Sequence, residues 1–144
     1  MGNSDNPATG AKFEDAVQLF FRQRNLLLEK DHSVDVGVGN LKKGRKFDLG
    51  SSTPPTLVEC KCHIWTEGGN APSAKLSVWN ESMLYFLAAP QRYRKILAVL
   101  AHTRQGQSLA DHWVSRFQHL VPMGVEIWEV GSDGLSGRLV FTGR

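Results

Sequence analysis

Two short segments decide how this chain folds: Lys46-Phe47-Asp48-Leu49-Gly50 and Leu57-Val58-Glu59-Cys60-Lys61. The residues between them are Ser, Thr and Pro, which favour a turn, so the two segments are expected to be neighbouring strands of a hairpin. Side chains alternate between the two faces of a strand, which puts Glu59 and Lys61 on one face and Cys60 on the other. The apolar residues around Glu59 predict burial, and a buried charge costs several kcal/mol unless a partner compensates it.

Asp48, on the neighbouring strand, is expected to join Glu59 on this face. If the hairpin pairs in register, Asp48 lies opposite Glu59 and two carboxylates converge beside Lys61, whereas a slip of one residue would turn Asp48 away. Carboxylate oxygens are preferred ligands of Mg²⁺ and Mn²⁺, which lower the pKa of a bound water. The Lys61 ammonium would then orient that water or stabilise charge on a phosphate. The alternative is a structural protein in which Glu59 and Lys61 form an internal ion pair.

The periodicity of apolar residues gives the order of elements. Helices are predicted at 10–32, 73–89 and from Ser108 onward, and strands at 33–39, 56–65, 96–100, 125–130 and 138–141. Residues 42–50 are predicted to be a basic turn followed by the second strand. We expect Phe47 and Leu49 to share one face of the second strand. The fully apolar run 96–100 is typical of a strand that is covered on both faces. The order α-β-β-β-α-β, followed by α-β-β, predicts an α/β fold with a mixed central sheet flanked by helices.

Size and charge fit one ordinary globular domain. The chain has 144 residues, of which 41% are hydrophobic and 22% charged. There are 17 Lys and Arg against 14 Asp and Glu, and the resulting net charge of +3 permits a polyanionic partner without requiring one. We expect residues 1–9 to be a flexible N-terminal arm and residues 10–144 to form the single domain.

The sequence also predicts where the protein works. Its apolar runs are far shorter than the roughly 20 residues that span a bilayer, and the polar N-terminus does not resemble a secretory signal. Cys60 and Cys62 are two positions apart, roughly 6.5–7 Å on an extended strand, which is too far for a comfortable disulfide. Reduced thiols and a cytoplasmic location without membrane contact are therefore expected.

The order of elements, with Asp48 followed one hairpin later by Glu59-x-Lys61, resembles the PD-(D/E)xK nuclease superfamily, which includes restriction endonucleases and Holliday junction resolvases. The resemblance covers about Gly10 to Leu100 and implies a restriction-endonuclease-like αβββαβ core. It implies that Asp48 and Glu59 bind Mg²⁺ or Mn²⁺ with the Cys60 carbonyl, and that Lys61 is the catalytic lysine. Glu14 matches the acid that the first helix often adds to the metal site. Phe47 stands where the family's motif has Pro.

Three further side chains are candidate auxiliaries of the site. Asn80 lies on the inward stripe of the second helix, where related nucleases often bring a polar residue toward the metal; Lys75 is nearby. An internal hydrogen bond of Asn80 to the backbone is the alternative. His63 follows Lys61 on the same strand face, where it would contact a phosphate. Cys60, Cys62 and His63 also suggest zinc, but no second ligand pair has zinc-like spacing.

A basic run precedes the hairpin and is the candidate nucleic-acid contact: Lys42, Lys43, Arg45 and Lys46. Solvated turns carry such runs as well. The expected function is a metal-dependent endonuclease that hydrolyses DNA as a homodimer, because cutting both strands requires two sites related by two-fold symmetry. Restriction-like and junction-specific roles are both open, as is RNA. The alternative is an inactive nucleic-acid-binding or assembly module on the same fold.

Overall fold

A mixed six-stranded sheet forms the centre of residues 7–144, the part of the chain that the computed structural model describes. The elements in chain order are α1 (Pro7–Arg22), β1 (Glu29–Val36), β2 (Lys43–Ser52), β3 (Pro55–Lys61), α2 (Ser73–Ala88), β4 (Arg94–Leu100), β5 (Thr103–Arg104), β6 (Gln107–Ser108), α3 (Leu109–Phe117), β7 (Glu126–Val130) and β8 (Gly137–Thr142). A short 3₁₀ turn, Gln118–Leu120, follows α3.

The strands lie in the order β1-β2-β3-β4-β7-β8. The first three form the predicted antiparallel meander, β3, β4 and β7 are parallel, and β8 returns antiparallel to β7. The predicted α/β class and mixed central sheet are confirmed. The sequence did not reveal the small separate hairpin of β5 and β6, whose turn holds Gln105 and Gly106 at positive φ.

Apolar side chains cover both faces of the sheet and make two cores. One core contains Phe13, Phe20 and Phe21 from α1. The other contains Trp79 and Phe86 from α2 together with side chains of α3. The central residues of β4, 96–99, are fully buried and alternate between the two cores, which confirms that this strand is covered on both sides. None of the helices within residues 7–144 is long and apolar enough to cross a membrane.

The first helix differs from its predicted bounds at both ends. It begins at Pro7, inside the segment expected to be an arm, while residues 1–6 lie outside the described residues. It ends at Arg22 rather than at residue 32, because Asn25 adopts φ 65° and turns the chain toward β1. The apolar pair that suggested a longer helix belongs to an extended connection, in which Leu28 is buried and Leu27 is 70% exposed.

The prediction that Phe47 and Leu49 share a face is wrong. Phe47 stacks on Phe86 of α2, with ring centroids 5.8 Å apart, whereas Leu49 belongs to the core beneath α1. The direction of the side chains changes at Asp48, which lies opposite Asp31, a residue with φ 61°. The change of face frees the Asp48 side chain from either core.

Other predicted elements lie close to their observed bounds. The second helix begins at Ser73 as predicted and ends one residue early, at Ala88. Ser108 is the N-cap of α3, and its hydroxyl accepts a hydrogen bond from the backbone N–H of Asp111 at 3.0 Å. This bond satisfies one of the amide groups that a helix start leaves without an intrahelical partner. The helix ends at Phe117, and the 3₁₀ turn follows it directly.

Candidate functional site

Two hydrogen bonds between backbone and carboxylate tie β2 to β3 at the centre of the candidate site. The backbone ladder between the two strands runs from Ser52 and Pro55 as far as Leu49 and Val58. Beyond it, the Asp48 N–H donates to Glu59 Oε2 at 3.1 Å, and the Cys60 N–H donates to Asp48 Oδ2 at 2.8 Å. Asp48 and Glu59 therefore meet as the in-register hairpin predicts, and each carboxylate binds a backbone group of the other strand.

Glu59 has a second partner that the sequence analysis missed. Its side chain is almost fully buried, and Glu59 Oε1 accepts a hydrogen bond from Arg45 Nη2 at 2.9 Å. The guanidinium carbon of Arg45 lies 3.6 Å from the ring centroid of Tyr85 on α2. Arg45, expected to contact nucleic acid, instead compensates a buried carboxylate and packs against an aromatic ring.

A cavity of about 320 Å³ opens where β3 ends, on the side of α1. The side chains that matter for chemistry in its lining are Glu14 from α1, Asp48 from β2 and Lys61 from β3, together with Cys60. With His63, five residues named as site residues from the sequence thus meet at one cavity. Glu59 is not in this lining, but it accepts a hydrogen bond from the backbone of Asp48, which is.

The carboxylates repel one another electrostatically. Burial and the neighbouring charge of Asp48 raise the pKa of Glu14 to about 7, and Lys30 opposes this shift only in part. The pKa of Glu59 is also raised, first by burial and then by Asp48, while Arg45 and Lys61 lower it. Burial raises the pKa of the Cys60 thiol well above its ordinary value, and Asp48 adds to the shift. Negative charge is thus concentrated around Asp48.

This arrangement fits a divalent cation at two of the expected side chains. Glu14 and Asp48 present hard carboxylate oxygens at one cavity, and a cation would relieve the repulsion that raises the pKa of Glu14. Glu59 uses both oxygens for Arg45 and for the Asp48 amide, so it reaches a cation only after Arg45 moves. Within residues 7–144, no three His, Cys, Asp or Glu side chains are already arranged to hold a metal.

The expected auxiliary residues have mostly structural contacts. Asn80 Oδ1 accepts a hydrogen bond from Trp113 Nε1 at 2.9 Å, so its bond is internal but goes to an indole side chain and not to the backbone that the alternative named. His63 is buried at the edge of the cavity, and His63 Nδ1 accepts a bond from Trp79 Nε1 at 3.0 Å. Lys75 lies half-buried in the first turn of α2 and is not part of the cavity lining.

The basic run divides between the surface and the interior. Lys43 and Lys46 are exposed on β2, whereas Arg45 turns inward toward Glu59. Lys42 donates from Nζ to the Gly37 carbonyl at 3.0 Å, beside a larger cavity of about 760 Å³ between β1 and the end of α2. Asp35 is the only acid in the lining of that larger cavity, so the larger cavity lacks the paired carboxylates of the candidate site.

Cys60 and Cys62 are free thiols, as predicted. Their thiols face the core beneath α1, as the alternation along β3 requires. Strand alternation does not predict the Arg45–Glu59 pair, because it would place Arg45 with Leu49 and Val58, on the face opposite Glu59; the change of face at Asp48 brings the two together. Comparison of the chain with known protein families, curated proteins and solved structures finds no match.

Proposed function

We propose that this protein is a metal-dependent endonuclease that hydrolyses phosphodiester bonds in DNA. The observation that carries the proposal is the cavity at the end of β3, where Glu14, Asp48 and Lys61 lie in one lining. Two carboxylates next to a lysine suit phosphodiester hydrolysis, in which negative charge on the phosphate must be neutralised and a water must be positioned. The resemblance of Asp48 and Glu59-x-Lys61 to the PD-(D/E)xK nucleases and the restriction-endonuclease-like order of elements support the same reaction.

Glu14, Asp48 and the carbonyl of Cys60 are the groups that would hold the Mg²⁺ or Mn²⁺. The cation, when bound, would supply positive charge to the phosphate and lower the pKa of a water. The Cys60 N–H holds Asp48 Oδ2 and so limits the rotation of that carboxylate. Lys61 would contribute its ammonium group as a hydrogen-bond donor to the attacking water or to a phosphate oxygen.

Glu59 acts in this proposal first as a positioning residue. By accepting the Asp48 N–H, its carboxylate fixes the point at which β2 changes face and thereby orients Asp48. It would become a metal ligand only when Arg45 releases Oε1. Arg45 therefore competes with a cation for Glu59.

Exposed lysines of β2 would bind the DNA. Lys43 and Lys46 are available to bind backbone phosphates, which carry no sequence information but fix the position of the duplex. A homodimer would present two sites to the two strands. Restriction-like and junction-specific cleavage differ in what is recognised, and the cleavage chemistry is common to both.

The test is cleavage of linear duplex, single-stranded, flap and four-way-junction DNA in Mg²⁺, Mn²⁺ or EDTA. The Asp48→Ala and Lys61→Ala variants are compared with Lys12→Ala, an exposed lysine of α1 outside the cavity. Metal-dependent cutting that only the first two variants abolish, with all three folded by circular dichroism, supports the proposal. Cutting that survives in EDTA or in Lys61→Ala contradicts it. Sedimentation analysis with and without DNA tests the homodimer.

A second function is favoured by the Arg45–Glu59 contact. The ion pair with Arg45 keeps a metal ion away from Glu59. A protein that binds nucleic acid without cutting it would also retain such a pair. This alternative predicts that the protein binds DNA in EDTA, cuts none of the four substrates in any metal, and gains no thermal stability from Mn²⁺. A rise in melting temperature with Mn²⁺ that Asp48→Ala removes would favour the nuclease.

A further inference from the structure

We propose that a second cavity, formed by the chain that follows β3, is a binding site for a phosphate group. The cavity measures about 310 Å³ and lies between the loop after Trp65 and the hairpin of β5 and β6. Its polar lining consists of side chains that can donate hydrogen bonds: Trp65, Asn70, Arg104, Gln105, Gln107 and His112.

Several contacts hold the walls of this cavity in place. The backbone N–H of Trp65 donates to His102 Nδ1 at 3.2 Å, which anchors the start of the loop to the segment that follows β4. The loop closes on itself, because the Thr66 N–H donates to the Asn70 carbonyl at 3.0 Å and Thr66 Oγ1 donates to the same carbonyl at 2.8 Å. Arg104 Nη1 donates to the Thr66 carbonyl at 3.4 Å. Loop and hairpin thus meet at Arg104.

Gly69 lets the loop approach Arg104 closely. It has φ +83°, and a Cβ at this position would lie 2.9 Å from Arg104 Nε. A larger residue would be strained at this φ and would also push the guanidinium group away. The loop after Trp65 therefore serves to position the arginine.

Two hydrogen-bond donors in these walls have no partner. Trp65 is only 8% exposed, and both Trp65 Nε1 and Arg104 Nε are buried without an acceptor. A buried donor left unsatisfied destabilises the fold, and such groups are rare in folded proteins. Two of them at one cavity, on residues that line it, indicate a ligand that brings acceptor oxygens.

The charge of the lining selects the ligand class. It contains no Asp or Glu, so a cation has no ligand there, and Arg104 supplies a permanent positive charge. Burial and the nearby Arg116 lower the pKa of His112, which therefore contributes a neutral imidazole near pH 7. A phosphate group matches this set, because its oxygens can accept from an arginine fork and from neutral donors in several directions.

The phosphate could belong to the end of a nucleic-acid strand or to its backbone. Trp65 lies on the segment that continues from Lys61, so a nucleic acid is the source that connects this cavity to the candidate site. Only the choice of a nucleic acid as the source of the phosphate group rests on the proposed function. Phosphate binding itself requires no metal and is tested without one.

The first test is a calorimetric titration of the protein with inorganic phosphate, in EDTA and at constant ionic strength. Saturable binding at one site is expected, and Arg104→Gln and Trp65→Phe should each weaken it about tenfold or more. Gly69→Ala, which displaces Arg104 without removing it, should weaken it as well. Arg92→Gln, an exposed arginine outside the cavity, should bind like the wild type. The proposal is overturned if inorganic phosphate shows no saturable binding, or if all four folded variants bind it with equal affinity.

The second test separates the two sources in EDTA. Oligonucleotides with a 5′-phosphate, with a 3′-phosphate and with hydroxyl ends are compared by fluorescence anisotropy. A terminal phosphate that raises the affinity of the wild type but not of Arg104→Gln identifies a strand end. If the three oligonucleotides bind the wild type with equal affinity and Arg104→Gln lowers all three affinities alike, the ligand is a backbone phosphate. Oligonucleotide binding that Arg104→Gln leaves unchanged contradicts a nucleic-acid ligand, even if the metal-dependent cleavage is confirmed.

Discussion

Arg45 Nη2 lies 2.9 Å from Glu59 Oε1, and the same guanidinium group packs 3.6 Å above the ring centroid of Tyr85. This relationship joins the hairpin that carries Asp48 to the face of α2. It also decides how a cation can use the site, because the arginine occupies one oxygen of Glu59 and the Asp48 amide occupies the other.

Removing Arg45 should destabilise the fold. In Arg45→Gln the Glu59 carboxylate loses its charged partner while remaining buried, and breaking such a pair costs about 3 kcal/mol. Urea unfolding at pH 7.5 measures the effect. Lys43→Gln removes an exposed charge from the same strand and should change the free energy of unfolding by less than about 0.5 kcal/mol. Equal stabilities of the two variants would mean that Glu59 gains nothing from Arg45.

The same substitution should strengthen metal binding. Without Arg45, Glu59 Oε1 is available, so the affinity for Mn²⁺ should rise about tenfold, which corresponds to about 1.4 kcal/mol. Calorimetric titration of folded Arg45→Gln below its unfolding range measures this change. The double variant Arg45→Gln/Glu59→Gln should lose the gain. An unchanged affinity in Arg45→Gln would show that Glu59 is not a competing ligand.

Glu14 should make stability depend on pH. Its pKa is raised from 4.5 to about 7 in the folded protein, so the folded state binds more protons than the unfolded state between these values. The free energy of unfolding therefore falls as pH rises through this window. In EDTA, Glu14→Gln should raise the melting temperature at pH 8 and leave it unchanged near pH 4. Glu81→Gln, at an exposed acid of α2 outside the cavity, is the control; a gain from Glu14→Gln that does not vary with pH would contradict the assignment.

Local pattern was enough to find the central hairpin and the strand behind it. Glu59 and Lys61 stand out because an acid and a base interrupt an apolar strand, and residues 96–100 of β4 are apolar without alternation because both faces are covered. The cap at Ser108 follows from the tendency of a serine hydroxyl to accept from the first turn of a helix. These features depend on neighbours in sequence, which is why they can be read there.

The features that were missed depend on residues distant in sequence. Arg45 looks like one cation of an exposed basic run, and only the packing of α2 against β2 brings Tyr85 and Glu59 to it. The change of face between Phe47 and Leu49 depends on Asp48 exchanging bonds with β3, which strand alternation does not predict. Asn80 occupies the inward stripe as expected, but its partner lies on α3.

Asn80 is therefore expected to support the fold and not the reaction. Asn80→Ala leaves the buried Trp113 indole N–H without an acceptor, which should cost about 1–3 kcal/mol in the free energy of unfolding. Metal-dependent cleavage should remain at the wild-type rate at temperatures where the variant is folded. Trp113→Phe in the Asn80→Ala background should cost less than the sum of the two single changes. A loss of cleavage with unchanged stability would return Asn80 to the candidate site.

The turn between β7 and β8 should matter for the position of Glu14. Gly134 has φ +75°, and a Cβ there would lie 2.6 Å from the carbonyl oxygen of Ala16, on the helix that carries Glu14. Gly124 has φ +86° with open space around it, so Gly124→Ala measures the backbone strain alone, about 1 kcal/mol. Gly134→Ala adds a clash with helix backbone and should lower the melting temperature further. If α1 shifts to relieve the clash, Glu14 moves away from Asp48, and the affinity for Mn²⁺ falls in Gly134→Ala but not in Gly124→Ala. Equal effects of the two substitutions on stability would show that the turn does not restrain α1.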